Sequence, residues 1–63
     1  MKNLRSIRFR RNLTIRELAD LVGVHYSLIS YWENGKKNPR PHNVKKLCEV
    51  LEVSEEDLRE ELL

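Results

Sequence analysis

Apolar residues recur at spacings of three and four along most of this chain, which is the period of an amphipathic α-helix. The pattern is clear from Ile15 onward, where the apolar residues that share one face are Ile15, Leu18, Ala19 and Val22. Charged side chains occupy the other sides of this segment. The spacing therefore predicts a helix with one face in a core and the rest in solvent.

The ends of this helix are marked by capping residues. Thr14 followed three residues later by Glu17 is a capping box, in which each side chain bonds the other residue's backbone amide. Gly23 follows the last apolar position and enters the left-handed conformation of a helix C-terminus at no steric cost. We therefore expect the helix to begin at about Ile15 and to stop at Gly23.

A second helix is predicted from about Tyr26 to Glu33, and its residues separate by angle into two edges. The edge expected to pack consists of Leu28, Ile29 and Trp32. The edge expected to be presented consists of Tyr26, Ser27, Ser30 and Tyr31. Two short helices joined by a glycine turn have the layout of a helix-turn-helix, whose second helix, the recognition helix, reads the DNA major groove.

An exposed edge of Tyr and Ser is unusual, because the solvent face of a helix normally carries strongly solvated charges. Hydroxyl and aromatic groups donate to and accept from base edges and pack on thymine methyl groups. The four presented residues are therefore the predicted base contacts. The simpler alternative is that Tyr26 and Tyr31 only lie over neighbouring side chains.

The rest of the chain predicts three supporting helices and one all-α domain over residues 1–63. The first runs from about Lys2 to Arg11, and the next from near Pro41 to about Leu51. Ser54 caps a short acidic helix that continues to about Leu62. Leu58, Leu62 and Leu63 give this helix an apolar edge, part of which closes the core. The last two residues, Leu62 and Leu63, exceed what a monomer needs and are the expected dimer contact.

These residues resemble the Xre/Cro/CI-type, phage-repressor-like helix-turn-helix DNA-binding domain from about Leu4 to Leu58. The matching positions are Arg8, Leu13, Thr14, Glu17, Leu18, Ala19, Gly23, Val24, Ile29, Trp32, Glu33, Asn34, Gly35, Lys36, Pro39, Leu47, Leu51, Val53, Ser54 and Leu58. The resemblance implies a compact five-helix fold in which helices 2 and 3 form the reading unit. It also implies that Arg8 pairs with Glu33 and braces the recognition helix. The alternative is an exposed ion pair that contributes little to stability.

Two positions depart from the family pattern. Ile15 stands where many members carry a phosphate-binding Gln, so Thr14 or Arg16 is expected to take over that contact. His25 stands where the recognition helix usually has a Ser or Thr cap. Because histidine caps poorly, we expect either a looser helix start or a phosphate contact from His25.

The net charge of +2 conceals a strong asymmetry. Residues 1–46 carry eleven Lys or Arg against three acidic residues, or +8, whereas residues 47–63 carry one Arg against seven acidic residues, or −6. Such a dipolar molecule turns its basic side toward phosphate. The predicted DNA backbone contacts are Arg8, Arg10, Thr14, Arg16, His25, Asn34, Lys36, Lys37 and Arg40.

Other function classes find little support. The two histidines and Cys48 lack metal-ligand spacing, and there is no glycine-rich phosphate loop, so we expect no enzyme activity, metal, cofactor or small-molecule ligand. The lone Cys, the lack of a membrane-length apolar run and the polar N-terminus lead us to expect a cytoplasmic protein.

The sequence thus predicts a transcriptional regulator, a repressor, that binds a palindromic operator as a homodimer. A dimer is expected because one such helix reads only a few base pairs. The alternative is a protein-interaction module of the same fold, such as an antitoxin or an antirepressor-type partner. The basic reading face favours DNA, and the acidic tail with its leucine edge leaves room for the alternative.

Overall fold

The computed structural model describes Met1 and residues 3–59. Within that part of the chain it contains five helices and no strand, so the predicted all-α, five-helix fold is confirmed. The helices are α1 (Leu4–Arg10), α2 (Ile15–Val22), α3 (Tyr26–Asn34), α4 (Pro41–Leu51) and α5 (Glu55–Leu58). The helix-turn-helix consists of α2 and α3.

The observed helix bounds differ from the predicted ones at four ends, one of them the end of the first helix at Arg10 instead of Arg11. The first helix begins at Leu4, the recognition helix includes Asn34, and α5 ends at Leu58. Lys2, the extension to Leu62 and the proposed Leu62 and Leu63 dimer edge lie outside the described residues. No helix in the described part of the chain is long and apolar enough to span a membrane.

Local hydrogen bonds set the start and end of α2. The Glu17 amide donates to Thr14 Oγ1 at 3.0 Å, and the Thr14 amide donates to Glu17 Oε1 at 2.8 Å. Gly23 adopts a φ of 87°, and its amide donates to the Ala19 carbonyl at 2.7 Å. The capping box and glycine stop predicted from the sequence are therefore confirmed.

All five helices contribute to one hydrophobic core. The buried residues of its main cluster are Leu4, Ile7, Leu18, Ala19, Val22, Ile29, Trp32, Leu47, Leu51 and Leu58. Trp32 is the largest fully buried side chain, and it anchors the recognition helix. Because Ile29 and Trp32 pack in the core, they fix the orientation of α3, and the opposite side of the helix faces away from the core.

Candidate nucleic-acid interface

The recognition helix α3 presents two different edges. Ile29 and Trp32 are buried in the core, and Leu28 is half-buried beside them. On the other edge Tyr26 is 41% and Tyr31 37% exposed. The two serines of that edge, Ser27 and Ser30, are half-buried. The structure thus presents all four predicted base-contact residues, at least in part, at the surface.

His25 caps α3 through its ring. The Ser27 amide donates to His25 Nδ1 at 3.2 Å, and Ser27 Oγ lies 2.9 Å from the same nitrogen. The ring nitrogen thus accepts a hydrogen bond from an amide that has no partner within the helix, as a Ser or Thr hydroxyl does at other helix starts. The expectation of a loose helix start was wrong, because the imidazole reaches the Ser27 amide.

Tyr26 is contacted by two neighbouring side chains. The His25 and Tyr26 rings stack with centroids 4.5 Å apart and an interplanar angle of 27°. From α2, the Arg16 guanidinium carbon lies 4.2 Å from the centroid of the Tyr26 ring. Tyr26 is therefore held both by its own cap and by the preceding helix.

The C-terminal end of α3 leads into a basic loop. Gly35 ends the helix with a φ of 78°, and the Lys36 amide donates to the Tyr31 carbonyl at 2.9 Å. The Lys37 ammonium lies 5.4 Å from the centroid of the Tyr31 ring. Lys36 and Lys37 are exposed, so both have room to approach a phosphate.

The loop after Gly35 packs back on the domain through Pro39, which is buried. Together with Leu28 and Trp32 of α3, Lys37 and Arg40 line one surface groove. Arg40 itself is exposed at the start of α4. Two of the predicted phosphate-binding cations are thereby brought to the same side of the recognition helix.

Arg8 and Glu33 form a buried pair that joins α1 to α3. Arg8 Nε donates to Glu33 Oε2 at 2.6 Å, and Arg8 Nη2 donates to Glu33 Oε1 at 3.2 Å. Arg8 Nη1 donates to the Leu13 carbonyl at 2.9 Å, which ties in the segment before α2. Side-chain exposure is 7% for Arg8 and 1% for Glu33, so the alternative of an exposed ion pair was wrong.

Comparison with known proteins gives the family. A helix-turn-helix family model matches residues 4–58, most of the chain. The chain is also 43% identical over 58 residues to an HTH-type transcriptional repressor, RghR, of Bacillus subtilis strain 168. It belongs to the Xre/Cro/CI-type helix-turn-helix family.

A second relative, the uncharacterized HTH-type transcriptional regulator RghRB of the same strain, is also 43% identical over 58 residues. Each match covers 90% of this chain but only 43% of RghR and 42% of RghRB. The chain therefore spans about two fifths of the length of these curated relatives.

Two of the expected phosphate contacts, Arg8 and Thr14, have donors that are engaged within the domain. The burial of Arg8 and its bonds to Glu33 and Leu13 argue against a direct contact. The Thr14 amide is taken by Glu17, which leaves only the Thr14 hydroxyl hydrogen to donate. Arg10 is exposed but lines a depression with Ile7, Arg11 and Val53, beside the turn between α4 and α5.

Sequence reasoning missed two contacts to the recognition helix. Arg5 Nε lies 3.5 Å from Glu33 Oε1, so a second arginine of α1 reaches the same carboxylate. The contact between Arg16 and the Tyr26 ring was also missed. The first contact joins α1 to α3 and the second joins α2 to α3, so each depends on how the helices pack against one another.

Cys48 has no evident role in the interface. Its side chain is half-buried, and burial together with the nearby Glu55 carboxylate raises the pKa of the thiol. The thiol therefore keeps its proton at neutral pH, and the protonated form is a weak nucleophile. Among the described residues no group of three or more His, Cys, Asp or Glu side chains is arranged to hold a metal ion.

Proposed function

We propose that this chain is a sequence-specific, double-stranded DNA-binding transcriptional regulator that acts as a repressor. The observation that carries the proposal is the outward edge of α3, where Tyr26, Ser27, Ser30 and Tyr31 are offered instead of solvated charges. This edge would enter the major groove, where hydroxyl and aromatic groups meet base edges. The similarity to RghR, a transcriptional repressor, supports repression as the direction of regulation.

Exposed polar and basic groups would fix the domain on the DNA backbone. The proposed phosphate contacts are Thr14, Arg16, His25, Asn34, Lys36, Lys37 and Arg40. Phosphate contacts of this kind would set the register of α3 on the DNA. Arg8 and Glu33 would brace the helix from behind.

We further propose that the protein binds a palindromic operator as a homodimer. One recognition helix reads only a few base pairs, and a second copy one helical turn away would supply the remaining specificity. The setting would be the cytoplasm, since a reducing compartment preserves the unpaired Cys48 thiol.

Selection of bound sequences from a random duplex pool tests this function. We expect enrichment of one motif with two half-sites, and gel-shift affinity that falls with salt at a log–log slope of about −4 to −5 if about five cations are engaged. A pool that shows no motif above bulk DNA, or binding that hardly responds to salt, would contradict the proposal.

The alternative of a protein-interaction module has one specific observation in its favour. Phe9 is 62% and Leu21 52% exposed, so two large apolar side chains are accessible to a partner protein. Neither belongs to the proposed reading edge. If Phe9→Ser and Leu21→Ser leave the enriched motif and its affinity unchanged, DNA binding does not depend on these residues.

A further inference from the structure

The recognition helix begins with an exposed tyrosine whose ring is contacted by two side chains. The Arg16 guanidinium carbon lies 4.2 Å from the Tyr26 ring centroid, and the His25 ring stacks on Tyr26 at 4.5 Å. His25 is itself fixed, since its Nδ1 is bonded to Ser27. Arg16 comes from α2 and Tyr26 from α3, so this contact spans the two helices of the reading unit.

The side-chain conformation of Tyr26 determines where its hydroxyl meets the DNA. A tyrosine that is 41% exposed in the first turn of a helix has more than one staggered rotamer open to it. Each rotamer carries the hydroxyl to a different place in the groove. Contacts that favour one rotamer before binding reduce the entropy lost on binding and narrow the set of base edges within reach.

A carboxylate on its own helix is another candidate partner for Arg16, but the Arg16 guanidinium lies over the Tyr26 ring instead. Asp20 lies four residues later on α2 and lines the same surface depression as Arg16 and Tyr26. Among the described residues, however, no ion pair joins Arg16 to Asp20 within 4.0 Å. A planar guanidinium stacks on an aromatic face and keeps donors at its edge for other contacts.

We propose that Arg16 is a positioning residue for Tyr26 and, through it, a determinant of which base pair the recognition helix selects. This goes beyond a phosphate contact, which would add affinity equally for every sequence. The inference rests on the proposed function, because it needs Tyr26 at the base edges.

The test is a double-mutant cycle on the full 63-residue chain. Binding is measured by competition between the operator selected by the wild type and its single-base-pair variants. The proteins are the wild type, Arg16→Ala, Tyr26→Leu and the double variant. Tyr26→Leu identifies the base pairs that Tyr26 reads.

At those base pairs we expect Arg16→Ala to reduce discrimination by about two- to five-fold, the range set by an exposed cation–π contact. In the Tyr26→Leu background the same substitution should leave discrimination unchanged, because the residue through which Arg16 acts is gone. Arg16→Met, which keeps most of the aliphatic stem and lacks the guanidinium, should behave like Arg16→Ala and covers the case in which the alanine variant is unstable.

Lys36→Ala is the matched control, since Lys36 is an exposed cation for which the structure gives no contact with an aromatic ring. It should weaken all duplexes by the same factor and reduce the salt slope by about one. If Arg16→Ala gives this uniform pattern in both backgrounds, Arg16 is a phosphate contact only and the inference is overturned. It is equally overturned if Tyr26→Leu changes no base preference.

Failure of the inference is distinguishable from failure of the proposed function. If the wild type enriches no motif, DNA recognition itself is refuted. If the wild type has a clear operator and Arg16→Ala leaves every base preference as it was, only the role of Arg16 is refuted.

Discussion

Arg8 and Arg16 both reach the recognition helix from a neighbouring helix, but their surroundings differ. The Arg8 side chain is 7% exposed and holds a Glu33 side chain that is 1% exposed. Arg16 is exposed and lies on the exposed ring of Tyr26. The contact of Arg8 with Glu33 is therefore shielded from solvent, whereas the contact of Arg16 with Tyr26 lies at the surface.

Because of this difference in solvent exposure, we expect the Arg8–Glu33 pair to contribute mainly to folding stability and the Arg16–Tyr26 contact mainly to base specificity. A buried carboxylate has lost its water, so it depends on the hydrogen bonds that Arg8 provides. An exposed ring and guanidinium keep most of their water, so their contact adds little to stability. The contact still favours one side-chain conformation of Tyr26, on the surface proposed to meet DNA. The brace and the ring contact are thus expected to respond to mutation in different assays.

The largest expected effect is that of Arg8→Ala on folding. The substitution removes both short hydrogen bonds to the buried Glu33 carboxylate and leaves it only the long contact with Arg5 at 3.5 Å, which should cost about 3–5 kcal/mol. A domain of this size has a total stability of about 3–9 kcal/mol, so the loss is a third of that total or more. Urea denaturation followed by far-UV circular dichroism measures this loss.

Arg5→Ala is the matched control for that prediction. Arg5 reaches the same Glu33 oxygen at 3.5 Å, but its side chain is 59% exposed. Its loss should therefore cost less than about 1 kcal/mol. Equal costs for Arg5→Ala and Arg8→Ala would show that burial does not set the importance of the pair.

An intermediate effect is expected for the cap of the recognition helix. His25→Ala removes the acceptor for the Ser27 amide and should cost about 1 kcal/mol of stability, whereas His25→Ser should keep the cap. Because His25→Ser also removes the ring that stacks on Tyr26, it should retain stability and lose base discrimination. Thermal unfolding and the single-base-pair competition assay measure the two effects separately.

The outcome for His25→Ser is the informative one. A variant that keeps both its stability and its base preferences would show that the ring of His25 serves only as a cap. One that loses both would show that the serine does not replace the imidazole nitrogen at this helix start.

Local signals made much of the fold predictable. The capping box of Thr14 and Glu17 and the glycine stop at Gly23 are interactions between near neighbours, so they are written in short stretches of sequence. The two edges of α3 follow from helical periodicity, which assigned Ile29 and Trp32 to the core. The pairing of Arg8 with Glu33 came from the family resemblance.

The remaining features lack a local signal in the sequence. Nothing local to Arg8 indicates that it is buried, because arginine is normally a surface residue. The contact of Arg16 with Tyr26 requires the angle between α2 and α3. The left-handed conformation of Glu52, with a φ of 59°, also lacks a local signal, since the turn that ends α4 is of a kind that favours glycine.

The smallest expected effect concerns the other tyrosine of the recognition helix. The Lys37 ammonium lies 5.4 Å from the Tyr31 ring centroid, compared with 4.2 Å for Arg16 and Tyr26. An ammonium is a compact, strongly hydrated charge that does not stack, so Lys37 should fix Tyr31 much less than Arg16 fixes Tyr26.

We therefore expect Lys37→Ala to weaken binding to every duplex by about the same factor and to reduce the salt slope by about one. Tyr31→Ala, in contrast, should change base preference at the positions that Tyr31 reads; if it only lowers the melting temperature, Tyr31 is a packing residue. Gel shifts at several salt concentrations and the competition assay provide both readouts. If Lys37→Ala relaxed base discrimination as much as Arg16→Ala, a point charge would position a tyrosine as well as a planar guanidinium does. The stacking of His25 on Tyr26 would then be the remaining difference between the contacts of the two tyrosines, and the type of cation would not matter.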